Sequence, residues 1–184
     1  MNITSAPTYL ISQKENFYMV AVSIKERKKG KVRHGEGEIT SIIGYIDIRV
    51  FAHATEDTTK VQTAVRNLLP TELAETLVFQ QSSLTGHYGN PITLLSAKLT
   101  DKKTLPAALE KIGSSLNSLD KEELSHDWKL HLEKRNLYLR FNKQSAYLGT
   151  VKLTQNDPVH FKIHFKNKSP EEIVEICKAA GLLP

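Results

Sequence analysis

The stretch Tyr45–Asp57, YIDIRVFAHATED, constrains the fold more than any other part of the chain. Ile46, Ile48, Val50 and Ala52 alternate with Tyr45, Asp47, Arg49, Phe51 and His53. That two-residue period predicts a strand with one buried face. Thr55 then offers a helix cap, and Glu56 and Asp57 fall where a helix dipole favours acids. Val61, Ala64, Val65, Leu68 and Leu69 recur at helical spacing, predicting a first helix over about Glu56–Leu69 that stops before Pro70. The strand's other face carries Arg, Phe and His, which packing does not require.

The clearest second strand is Val159, Phe161, Ile163 and Phe165 alternating with His160, Lys162, His164 and Lys166. Leu137, Leu139 and Phe141 alternate with Tyr138 and Arg140, and Tyr147–Leu153 reads as a short run beside them. Thr76–Leu84 and Ile92–Leu99 read as two strands joined by Thr85–Pro91, whose Gly86, Gly89 and Asn90 supply turn freedom. Leu105, Ala108, Leu109, Ile112 and Leu116 mark a helix that Thr104 can cap. Asp120 with Glu123 resembles a capping box for another, carrying Leu124 and Trp128 inward. Ser169-Pro-Glu-Glu172 opens a last helix with Ile173, Ile176, Cys177 and Ala180 inward. The joins between strands are too short for parallel crossovers. The expected fold is therefore α+β, a two-layer domain with a mainly antiparallel sheet and helices on one face.

The 184 residues suffice for one domain with a real core. Residues 45–184 form that domain, and 1–44 read as an N-terminal extension. Within the extension, Phe17–Ile24 resembles a strand, and a basic loop, Lys25–Glu38, follows it. Pairing of Ile42–Ala52 back onto Phe17–Ile24 would make this loop a hairpin tip. Lys28, Lys29 and Lys31 in it are candidate phosphate contacts, and a solvated charge run is the plain alternative. The net charge of +5 is compatible with a polyanion but does not require one. A single cysteine, Cys177, excludes an intrachain disulfide and reads as a small core residue rather than a nucleophile. No run is long and apolar enough for a membrane span, and no signal peptide is evident, so a cytoplasmic protein is expected.

Three segments carry a resemblance. They are Phe51-Ala-His-Ala-Thr-Glu-Asp57, Gly86-His-Tyr-Gly-Asn-Pro-Ile92 and Leu137-Tyr-Leu-Arg-Phe-Asn-Lys-Gln-Ser-Ala-Tyr-Leu-Gly149. In order and spacing the chain resembles archaeal RNA-binding proteins described as predicted exosome subunits, from about Tyr45 onward. The resemblance implies a fold similar to the ribosomal large-subunit protein that binds the small ribosomal RNA. It also implies RNA binding with no established reaction. Asn142 departs from the acidic residue expected before Lys-Gln.

The outward strand positions Arg49, Phe51, His53, Tyr138, Arg140, Lys152, His160, Lys162 and His164 would share one surface. Bases stack on aromatic rings and guanidinium planes while cations neutralise phosphates. A basic face that merely keeps the sheet soluble is the alternative. Lys143, in the third segment, is a further candidate cation. His87 and Tyr88 could flank a phosphate at the Gly86–Pro91 turn, or the turn could serve geometry alone. Acid–base chemistry would need His53 with Asp57, or His87; a metal would need His53, His160 and His164 together. No nucleophile–base constellation is specified. The expected protein is a non-enzymatic binder of structured RNA, without cofactor, metal or small-molecule substrate, linked to an RNA-processing complex. A protein-interaction scaffold and a small ribonuclease are the alternatives.

Overall fold

The computed structural model describes residues 42–184. Phe17–Ile24 and the basic loop with Lys28, Lys29 and Lys31 lie outside the described residues.

Six strands form one sheet: β1 (Ile43–His53), β2 (Gln80–Thr85), β3 (Pro91–Leu99), β4 (Leu132–Glu133), β5 (Asn136–Asn142) and β6 (Pro158–Phe165). The spatial order is β2-β3-β1-β6-β5-β4, and every pairing is antiparallel. β1 is therefore central. β3 pairs with it from Ile46 to His53 and β6 from Ile43 to Arg49.

The register builds apolar rows across the inner face. Ala97, Ile48, Phe161 and Leu139 form one row; Leu99, Ile46, Ile163 and Leu137 form the next. Phe141 meets Phe161 edge-to-face at 5.2 Å. Helices α1 (Thr58–Asn67), α3 (Leu105–Ser115) and α7 (Pro170–Ala179) add Val61, Ala64, Val65, Leu109, Ile112, Ile173 and Ile176 to the same continuous core. Among the described residues, helices thus cover one side of the sheet and leave the other open. The α+β architecture expected from the sequence is the one observed. Cys177 is fully buried there, and burial pushes its thiol pKa up, as expected of a core residue rather than a nucleophile.

Local expectations fared unevenly. The final helix opens on the anticipated capping box, with Ser169 and Glu172 exchanging bonds. The first helix is capped by Asp57, not Thr55, because the Asp57 carboxylate accepts the Thr59 N–H at 2.8 Å. Pro70 opens a short helix, α2 (Thr71–Thr76), where Glu, Leu and Ala favour helix, so the strand expected from Thr76 starts only at Gln80. Helix α4 (Ser118–His126) is capped by Asn117, whose side chain accepts the Asp120 N–H. Trp128 begins a separate turn, α5 (Trp128–His131). Tyr147–Leu153 is not a strand. Lys143–Tyr147 forms a helical turn, α6, after which the chain pairs with β5 at an isolated bridge, Phe141–Leu153.

A candidate nucleic-acid interface on the open face

The pleat that buries Ile46, Ile48, Val50 and Ala52 turns the intervening side chains of β1 outward. The register then fixes their neighbours. Arg49 lies beside His160, which lies beside Arg140; Asp47 lies beside Lys162, which lies beside Tyr138. Tyr45 pairs with His164, their rings stacked at 4.9 Å, and His164 meets Asn136 at 3.0 Å. Lys98 of β3 sits 4.5 Å over the Tyr45 ring, and Lys162 sits 6.0 Å from the Tyr138 ring centroid. Cations and aromatic rings therefore interleave across four strands, the mixture that neutralises phosphates and stacks bases. Asp47 is the acid among these rows, and Arg49 takes it up at 3.1 Å.

Burial, then the Arg140 and Arg49 charges, hold the His160 pKa below the usual histidine value. Burial, with Lys162, Arg135 and Lys166, does the same to His164. Burial first, and the neighbouring cations after it, thus disfavour further positive charge on these two rings.

Phe51 is 37% exposed on the same face, opposite Leu94, at the end nearest β2. Arg140 reaches along the β5 side to Gln155 at 2.9 Å. Lys152 is exposed at the β5 edge, where its carbonyl accepts the Asn142 N–H at 2.8 Å. Tyr45 and Lys98 belong to the face although neither is among the expected contacts. Both obey the same two-residue period, which would have found them once the register was known.

The β2–β3 turn projects from the end of the sheet that also carries His53. Gly86 N–H bonds the Asn90 carbonyl and Gly89 N–H the Gly86 carbonyl. Gly89 has φ +78°, the left-handed region that favours glycine; Asn90 does not share it. Tyr88 is 87% exposed and meets His87 edge-to-face at 4.9 Å.

Lys143 is placed differently from the other candidates. Its side chain is 9% exposed, enclosed at the rim of the sheet. The ammonium lies 2.7 Å from a Glu56 oxygen, 2.8 Å from an Asp157 oxygen and 2.9 Å from the Phe51 carbonyl. His53 Nε2 lies 3.3 Å from the other Asp157 oxygen, and the His53 N–H bonds Glu56 at 2.9 Å. Asp57 is occupied with its own helix, so His53 has Asp157 for its partner, not Asp57. Nor are His53, His160 and His164 gathered for a metal. Among the described residues the donor group is instead His53, Glu56 and Asp157, within 4.8 Å of one another, and Lys143 already stands against both carboxylates. Beside this group a cleft of about 560 Å³ opens between α1 and α6, lined by Asp57, Lys60, Gln144, Tyr147, Asn156 and others. Asn142, the departure noted in the third motif, caps α6 by accepting the Ser145 N–H at 2.8 Å. Asparagine and aspartate serve equally in that position.

All three sequence segments thus come to one end of the sheet. The RNA-binding protein PAB1135 of Pyrococcus abyssi is 35% identical over 128 residues, covering 66% of this chain and 80% of that protein. The crystal structure of protein AF2318 from Archaeoglobus fulgidus aligns with TM-score 0.62 and 29% identity, over 75% of this chain and 99% of that one. Protein SSO0741 from Sulfolobus solfataricus aligns with TM-score 0.61 and 26% identity, over 74% and 96%. Among the described residues no helix is long and apolar enough to cross a membrane. Residues 45–165 match the family described as RNA binding, and the chain belongs to that family.

Proposed function

We propose that the open face of the sheet takes structured RNA without cleaving it, and that the protein serves an RNA-processing assembly, of the exosome-linked kind its motifs suggest. The observation that carries this reading is the interleaving of Arg49, His160, Arg140, Lys162 and Lys98 with the rings of Tyr45, Phe51 and Tyr138. A face built only for solubility has no use for rings between its cations. Phosphates bind the guanidinium and ammonium groups, and unpaired or terminal bases stack on the rings. His53, His87, Tyr88 and Lys152 extend the contact around the end and edge of the sheet, and Lys28, Lys29 and Lys31 add phosphate contacts. The bent-sheet kinship with the rRNA-binding ribosomal protein belongs to the same reading. The PAB1135 relative, named for RNA binding, supports it.

Titration of the purified chain with a hairpin RNA at several salt concentrations tests it. Affinity should fall linearly on logarithmic axes, with a slope of about 0.7–0.9 per phosphate contact. The same RNA, recovered after incubation with and without chelator, should be intact. Salt-independent or absent binding overturns the RNA reading; cleavage overturns its non-enzymatic part.

A further inference from the structure

Lys143 is a basic residue in an RNA-binding chain, yet its geometry is that of a pin. An ammonium has three N–H donors. Here the ammonium hydrogen-bonds the Phe51 carbonyl and Glu56, and it pairs at 2.8 Å with Asp157 from a distant segment. These groups crowd the ammonium, and a phosphate approaching from solvent would meet two carboxylates first. The β1–β6 ladder ends at the Arg49–His160 pair, so the Phe51 carbonyl lies beyond the paired stretch. A buried or crowded carbonyl left without a donor is costly, and Lys143 supplies one. Glu56 in turn receives the His53 N–H, and Asp157 meets the His53 ring. Asp157 is held at φ +42°, an uncommon conformation for a residue other than glycine.

We propose that Lys143 is a positioning residue: it fixes the backbone at Phe51 and, through Glu56 and Asp157, orients His53, so that both side chains are presented to RNA without Lys143 touching it. This rests on the RNA reading of the open face. The order imposed at Phe51 is what makes its ring a ready stacking platform, since a ring already fixed loses less freedom on binding.

The test uses the full chain and the charge-neutral pair Lys143→Met with Glu56→Gln. The first readout needs no RNA. The ring resonances of Phe51, followed by NMR, should shift and broaden while those of Tyr138 stay in place. The second is a hairpin-RNA titration across salt. Affinity of the folded protein should fall at least about fivefold, the lower end for a lost stacking contact, and the salt slope should not change. Adding Phe51→Ala to the pair should cost little more than Phe51→Ala alone. A slope reduced by about 0.7–0.9 would make Lys143 a phosphate contact and overturn the proposal. Unchanged Phe51 resonances, or full additivity with Phe51→Ala, would overturn it as well. Should the pair fail to fold, Asp157→Asn removes one carboxylate charge from the network and should move both readouts in the same direction by less. A wild-type protein that binds no RNA defeats the RNA reading; the Phe51 spectrum still decides whether the pin exists.

Discussion

Arg140 and Lys143 are three positions apart, both basic, and opposite in situation. Arg140 lies on the open face, exposed, in a row with His160 and Arg49. Lys143 is enclosed at the rim between two carboxylates. The chain between them ends a strand at Asn142 and begins a helical turn, which redirects the side chains that follow. A positive charge in this protein is therefore not one kind of object. On the face it is a solvated group open to a polyanion. At the rim it is already spent on holding the molecule together.

The contrast is broken most directly at the rim. Lys143→Met should destabilise the protein by about 2–4 kcal/mol. Removal of one partner from a buried ion pair costs about 3–5 kcal/mol, and the 45% exposure of Asp157 reduces that figure. Thermal melting measures it. A loss below about 0.5 kcal/mol would place Lys143 with ordinary surface lysines.

On the face the expected losses are in binding instead. Phe51→Ala and Tyr138→Ala should each weaken RNA binding by about 1–3 kcal/mol with little change in salt slope. Their melting temperatures should hardly move, since neither ring lies in the core. A large stability loss with unchanged affinity would make these rings packing groups.

A smaller effect is expected for the face's charges. Arg140→Ala should reduce the salt slope by about 0.7–0.9 with near-normal stability. An unchanged slope would show that Arg140 serves only Gln155.

The finest comparison uses pH. The His160 pKa is depressed in the folded state, by burial and then by Arg140 and Arg49, from an ordinary value of 6.5. The unfolded chain therefore binds more protons as pH falls through that value, and folding stability declines there. Bound phosphate favours the protonated ring, so affinity should rise over the same range. His160→Gln should flatten both trends, read by melting and titration at about pH 7.5 and about pH 5.5. A trend unaffected by the substitution would assign it to another group.

The sequence disclosed what repeats locally. β1 and β6 announce themselves because one face of each is apolar without interruption, and the last helix because its capping box is complete. The outward rows followed from the same period, which placed Arg49, Phe51, Tyr138, Arg140, His160 and Lys162 on one side. What stayed hidden was short or distant. Helices α2 and α6 have six and five residues, less than two turns, too few for a periodic pattern. The rim network joins His53 to Asp157 across 104 residues and Phe51 to Lys143 across 92, and no local pattern encodes such meetings. A lysine in a basic chain therefore reads as one more cation until its surroundings are known.

The central place of β1 has a consequence in time. It is the first strand of the described chain to leave a ribosome, and one of its two neighbours, β6, is the last. The contact that matters most for the open face is thus also among the longest in loop length, a class of contact that forms slowly. Until β6 arrives, the rows through His160 and Lys162 do not exist, and a nascent chain is open to faulty pairing. The open face is accordingly a late product of synthesis, and an unfinished polypeptide would carry the charges without the surface.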